Sequence, residues 1–259
     1  MENIIFNKSN GIAEITLNRP QSFNSFNRAM ALEFQTALDD CDSDASIRVV
    51  VIRGEGKAFC AGQDLGEVTD QAKNPGFKKI LDEHYGPIIK KLRSTMKPII
   101  AAVNGVAAGA GANIALACDI VVAKESVSFI QAFSAIGLIP DSGGTFFLPR
   151  LVGFQKASAL AMLADKVSAT EAESMGMIYK SIADEEFDEY VAKLSRKLSQ
   201  MPTKGLALTK QALNESYNNS LKEQLDLESK LQIEASETHD YHEGVAAFME
   251  KRKPQFKGN

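Results

Sequence analysis

An α/β core followed by a C-terminal helical region is the fold class the sequence predicts, on three observations. Over the first two thirds of the chain, β-rich runs alternate with runs of helical periodicity, the pattern of β-α units stacked around a largely parallel sheet. After about Gly153 the strand signal nearly vanishes and helical patterning takes over. With 259 residues, the chain is long enough to bury a substantial core. Residues 1–195 are therefore assigned to a core that carries the site, and residues 196–259 to a helical region.

Ile12 to Leu17, Val49 to Arg53, Ile99 to Val103 and Asp119 to Ala123 are the clearest strand candidates. Between them Met30, Phe34, Ala37, Leu38 and Cys41 recur at helical spacing, as do Ile80, Ile88, Ile89 and Leu92. Those helices should cover the sheet. Further on, Ser168-Ala-Thr-Glu171 has the form of a capping box, and Phe187, Val191, Leu194 and Leu198 form one apolar stripe. The stretch from Ser220 to Glu237 sets Leu221, Leu225 and other leucines among many charges, a face suited to the core or to a neighbouring subunit. The chain contains no internal repeat or low-complexity segment.

Composition narrows the function classes. With 29 basic against 33 acidic residues the net charge is −4, which gives no electrostatic case for nucleic acid or an anionic membrane. The opening Met1-Glu2-Asn3-Ile4-Ile5-Phe6-Asn7-Lys8 lacks the charged-then-apolar pattern of a signal peptide, and no run is long and uncharged enough to span a bilayer. A cytoplasmic protein is expected. Cys41, Cys60 and Cys118 are far apart and outside metal-ligand spacing, and His84, His239 and His242 form no zinc signature. The expectation is reduced structural thiols and no metal.

Three segments could carry chemistry. Lys57-Ala-Phe-Cys-Ala-Gly-Gln-Asp-Leu65 follows a strand and has small residues at Ala61 and Gly62, which let a backbone approach a ligand and leave N–H groups pointing at it. An ordinary turn with Asp64 as helix N-cap explains it equally simply. Asn104-Gly-Val-Ala-Ala-Gly-Ala-Gly-Ala-Asn113 leads from a strand into a helix and offers free amide donors at the positive end of its dipole. A dinucleotide reading fails on spacing, because the third glycine of the fingerprint would fall at Ile114. In Ala135-Ile-Gly-Leu-Ile-Pro-Asp-Ser-Gly-Gly-Thr145 a carboxylate stands between a proline and a tight turn, near Leu138, Ile139, Phe146 and Phe147. Asp141 is thus either a held base with a tunable pKa or a helix cap.

Together and in this order, the segments resemble the crotonase superfamily over essentially the whole chain. Asn18-Arg-Pro20, Gly62-Gln-Asp64, Asn104-Gly105 with Gly109-Ala-Gly111, and Gly143-Gly144-Thr145 all fit its pattern. The resemblance implies a crotonase-like superhelix of stacked β-β-α units with a C-terminal helical region used for trimerisation. It also implies two backbone N–H groups, of Gln63 and Ala110, that bind a thioester carbonyl oxygen. Such donors meet the charge of the enolate formed when the weakly acidic α proton leaves, an effect of ~3 kcal/mol per donor. On this view the Gln63 side chain is incidental. CoA contacts carry over to Ser22, Phe23, Ala61, Asp64, Leu65 and Gly109, and Asn113 and Phe133 join the substrate-binding set. CoA is then the handle of an acyl-CoA substrate, with no separate cofactor, and a homotrimer or hexamer is implied.

Two departures bear on the reaction. Hydratases of this family carry two glutamates that activate water, and those positions fall on Asn113 and Phe133, neither of which is a general base. Asp141 stands where some isomerases of the family place a catalytic aspartate. One carboxylate suffices for a proton shuttle that moves a double bond. The runs Phe59-Cys-Ala-Gly-Gln-Asp-Leu65, Val106-Ala-Ala-Gly-Ala-Gly-Ala112 and Lys251-Arg-Lys-Pro-Gln-Phe256 look like the subgroup that turns ring-1,2-epoxyphenylacetyl-CoA into an oxepin-CoA in phenylacetate catabolism. The expected activity is that isomerisation and the related 3-enoyl-CoA to 2-enoyl-CoA shift. Its rivals are an enoyl-CoA hydratase, a thioesterase using Ser142, and a noncatalytic acyl-CoA-binding subunit.

Overall fold

A computed structural model describes residues 1–70, 72 and 74–259. Among the described residues, ten strands form two sheets: β1 (Ile4–Ser9), β2 (Ile12–Leu17), β3 (Val49–Gly54), β4 (Ala58–Cys60), β5 (Ile99–Val103), β6 (Val106–Ala108), β7 (Ile120–Lys124), β8 (Ser128–Ile130), β9 (Lys166–Ser168) and β10 (Lys180–Ile182). The larger sheet has the order β1-β2-β3-β5-β7-β10 and the smaller β4-β6-β8-β9. The pairs β3/β4, β5/β6 and β7/β8 each give one strand to each sheet, and parallel pairing links the successive pairs. This is the expected superhelix of β-β-α units. The central strands β3 and β5 are apolar and buried on both faces, as parallel strands covered on both sides require.

The helices are α1 (Arg28–Ser43), α2 (Leu65–Thr69), α3 (Phe77–Lys79), α4 (Gly86–Ser94), α5 (Ala110–Leu116), α6 (Gly144–Val152), α7 (Phe154–Leu163), α8 (Ala169–Ser174), α9 (Phe187–Ser199), α10 (Thr203–Glu215), α11 (Leu221–Ser236) and α12 (His239–Met249). Helix α1 buries Met30, Phe34, Ala37, Leu38 and Cys41, the stripe read from the sequence. The capping box at Ser168 and Glu171 forms at the start of α8. The helix expected through Ile80 and Leu92 forms without interruption, but widens between α3 and α4 into a π-helical stretch, Ile80–Tyr85. Pro87 is the cause: it has no N–H to give the Glu83 carbonyl one turn back. The Gln35 amide donates to that carbonyl at 2.8 Å instead.

One expectation needs correction. Strands do occur after Gly153: β9 and β10 close one edge of each sheet. At three residues each they are too short to show alternation. The division expected at 195/196 falls inside α9, whose Phe187, Val191 and Leu198 pack with Val49, Val51 and Ile100 of the large sheet. Helix α10 is fastened to the core by buried charge. Lys210 of α10 pairs with Asp119 at 2.9 Å and donates to the Leu92 carbonyl at 2.7 Å, while Arg93 meets the other Asp119 oxygen at 3.0 Å. Asp119 also accepts from Ile99 N–H at 2.9 Å, so it serves as an anchor just before β7.

Candidate active site

The loop after β4 holds one peptide bond at both sides. Gly62 has φ +92°, a conformation that favours glycine. Its carbonyl accepts from the Phe26 N–H at 2.7 Å, and Asp64 N–H donates back to the Phe26 carbonyl at 2.9 Å. In a trans peptide C=O and N–H point in opposite directions. Fixing the Gly62 oxygen therefore fixes the Gln63 N–H on the other side, where it has no acceptor among the described residues. The Gly109 carbonyl likewise accepts from Asn113 N–H at 3.1 Å, so the Ala110 N–H projects from the start of α5, also without an acceptor among the described residues. The two loops touch: a Cβ on Gly62 would lie 3.4 Å from Ala110 N. Gly111 permits this approach, since a Cβ there would lie 2.3 Å from the Cys60 carbonyl oxygen.

Asp141 is half-buried just before α6. Gly143 occupies the N-cap position, so the Asp141 carboxylate does not cap the helix. Its Oδ1 accepts from Ser142 Oγ at 2.9 Å. Burial raises its pKa above the ordinary carboxylate value, with the Ser142 hydrogen bond acting in the opposite sense. The backbone of Asp141 is held from behind. Asn113 Nδ2 donates to the Asp141 carbonyl at 2.8 Å, Gly144 N–H does so at 2.8 Å, and Gln131 Nε2 donates to Asn113 Oδ1 at 2.8 Å. Asn113 is fully buried. Buried Phe133 lies beside the second loop, its Cζ 3.8 Å from where a Cβ on Gly109 would stand. One of the two positions expected for glutamate is thus a structural amide and the other an apolar wall.

Ser142 spends its hydroxyl on Asp141, and no histidine is among its hydrogen-bond partners, so a serine nucleophile lacks its base. Burial pushes the thiols of Cys41, Cys60 and Cys118 up to about 12, which makes them inert. Among the described residues no three His, Cys, Asp or Glu side chains converge as metal ligands.

Of the residues expected at the CoA end, Phe23 (57 % exposed), Ala61 and Leu65 (59 %) lie open at the surface, and Ser22 is half-buried in the turn Pro20–Ser22. Ala61 N–H donates to the Phe23 carbonyl at 3.0 Å, which ties this rim to the first N–H loop. The Asp64 side chain is already engaged: it caps α2 through Gly66 N–H at 2.9 Å and pairs with Arg19 at 2.7 Å. An apolar cavity of about 490 Å³ is lined by Leu138, Ile139, Pro140, Leu148, Phe154 and Met162, with Gly144 also on its wall. A larger cleft of about 750 Å³, around Asn10, Arg48, Arg53 and Arg196, contains none of the expected site residues.

Sequence reasoning missed Tyr85. Its hydroxyl donates to Gln63 Oε1 at 3.0 Å, and Gln63 Nε2 donates to Glu67 Oε2 at 2.9 Å. The Gln63 side chain is therefore fully engaged rather than incidental. The signal available was Pro87, two residues on, which widens the helix where Tyr85 falls.

The model of the enoyl-CoA hydratase/isomerase family matches residues 7–259. The 1,2-epoxyphenylacetyl-CoA isomerase of Escherichia coli K12 is 44% identical, with 100% of this chain and 99% of that protein covered. A protein of Rhodobacter capsulatus named "Probable enoyl-CoA hydratase" is also 44% identical over 96% of each chain. The crystal structure of an enoyl-CoA hydratase from Bacillus anthracis superposes with a TM-score of 0.92 at 31% identity, covering 99% of this chain and 100% of that one. By the ordered motifs, the two-sheet superhelix and these matches, the chain belongs to the enoyl-CoA hydratase/isomerase family, the crotonases.

Proposed function

We propose that the protein is an acyl-CoA isomerase in which Asp141 carries a proton between two carbons of a thioester enolate. The observation that supports this reading is the asymmetry of the site: the Asp141 carboxyl is half-buried with a raised pKa, while Asn113 is committed to the Asp141 backbone and Phe133 is apolar. The thioester oxygen accepts from the N–H groups of Gln63 and Ala110. Asp141 takes the α proton, and the C–H electron pair passes into the thioester as an enolate. The resulting carboxylic acid returns the proton to the γ carbon, and the double bond comes into conjugation. No atom is gained or lost, and nothing beyond the CoA of the substrate is required. A carboxyl whose pKa is raised by burial keeps the proton long enough to deliver it.

The relative named as an epoxyphenylacetyl-CoA isomerase supports ring-1,2-epoxyphenylacetyl-CoA as the substrate. Opening of the epoxide to the oxepin is then electrocyclic, and Asp141 handles the side-chain α proton. CoA lies along Ser22, Phe23, Ala61, Leu65 and Gly109, with Asp64 shaping the loop. Exposed Leu221, Ile233 and Phe248 on α11 and α12 supply the surface of a homotrimer or a pair of trimers. No helix among the described residues is long and apolar enough to cross a membrane, and the enzyme is proposed to act in the cytoplasm. Incubation with a panel of CoA thioesters and mass detection tests the activity. Isomerisation conserves mass; gain of one water would establish the hydratase reading, which the Rhodobacter relative's name favours.

A further inference from the structure

We infer that Tyr85 is a positioning residue that fixes the direction of the Gln63 N–H, through the Gln63 side chain and through Phe26. The inference rests on the reading of that N–H as a donor to the thioester oxygen. Tyr85 is buried, and its hydroxyl holds Gln63 Oε1 at 3.0 Å. At its other end the Gln63 amide donates to Glu67, whose second oxygen accepts from Arg28 N–H at 2.9 Å. The side chain is thus held at both ends. The Tyr85 ring also packs edge-on against Phe26, with centroids 6.1 Å apart and planes at 61°. Phe26 N–H is the group that holds the Gly62 carbonyl, the oxygen of the same peptide whose N–H is in question. One residue therefore reaches this peptide from its carbonyl side through packing and from its Cα side through a hydrogen bond. Burial raises the Tyr85 phenol well above its ordinary pKa, so it remains a donor at every working pH. The relay carries no proton to substrate. It stiffens a peptide that has glycine on one side, adding to the two hydrogen bonds with Phe26.

Tyr85→Phe tests this, because it keeps the ring and deletes only the hydroxyl. We expect kcat to fall roughly 10-fold, part of the about 100- to 1,000-fold loss that follows removal of a whole donor, with KM changed less than about twofold. The infrared carbonyl stretch of a bound saturated acyl-CoA should move back toward its value in free solution. In a Gln63→Ala background, Tyr85→Phe should cause no further loss of kcat. Wild-type kcat with an unchanged carbonyl stretch in Tyr85→Phe would overturn the inference, as would equal losses in both backgrounds. Failure of the underlying reading looks different. Wild-type protein would then leave the carbonyl stretch of the bound thioester at its solution value, whatever the Tyr85 variant does.

Discussion

Asp141→Asn separates chemistry from stability, because the two should move in opposite directions. The amide keeps the shape of the side chain and an acceptor for Ser142 Oγ, but it is no base. Turnover of a 3-enoyl-CoA should fall by about 100- to 10,000-fold, which is ~3–5 kcal/mol of barrier, while the CoA ester still binds. Stability should rise. Burial sets the native pKa of Asp141 above that of the unfolded chain, so between those two values the native state holds more protons. The wild type therefore loses stability as pH climbs through that window, and above it carries the full cost of an ionised, half-buried carboxylate. Asparagine carries no such cost. Steady-state rates give the first effect, and urea unfolding of both proteins from mildly acidic to neutral pH gives the second. The stability gap should widen in favour of the variant as pH rises. In the wild type, kcat/KM should rise with pH through the raised Asp141 pKa, where the base becomes ionised. Near-normal turnover in the variant would refute Asp141 as the base, and a gap that widens in favour of the wild type would refute its burial.

Three further outcomes follow from the same geometry. Asn113→Asp removes the donor to the Asp141 carbonyl and sets a carboxylate against it; urea unfolding should show a loss of about 1–3 kcal/mol, and kcat should fall with it. Gly111→Ala would press a methyl group to 2.3 Å from the Cys60 carbonyl, so the thermal midpoint should drop by the equivalent of roughly 3 kcal/mol. With an α-deuterated 3-enoyl-CoA, mass spectrometry should find part of the label at the γ carbon, because one carboxylate both removes and returns it. Product carrying solvent hydrogen alone at that carbon, added to the opposite face, would replace the single-base mechanism with a two-base one.

What the sequence reveals depends on whether a feature is periodic or local. Strands β2, β3 and β5 and the buried face of α1 are legible because their apolar residues repeat over five or more positions. Strands β9 and β10 are not, since three residues carry no alternation. The disturbance at Pro87 is legible in principle, but its effect on Tyr85 depends on a carbonyl that Gln35 satisfies from another helix. Asp141 and Asn113 could be picked out individually. That Asn113 holds the Asp141 backbone is a contact across 28 residues that no spacing rule encodes. The same holds for Gln63, whose side chain finds its partner 22 residues away.

Both free N–H groups belong to the main chain, and that has a consequence for how such a site changes by mutation. A side-chain donor is lost by almost any substitution, whereas a peptide N–H is lost only to proline. At Ala110, the first residue of α5, even proline would suit the helix, so that donor is open to clean deletion in one step. At every other replacement the free N–H survives, and what varies is which acids and walls surround it. Asn113 and Phe133 fit that view: an internal tie and a hydrophobic surface occupy two side-chain positions near the second loop without touching either N–H. New reactions on this scaffold need only relocate a proton carrier.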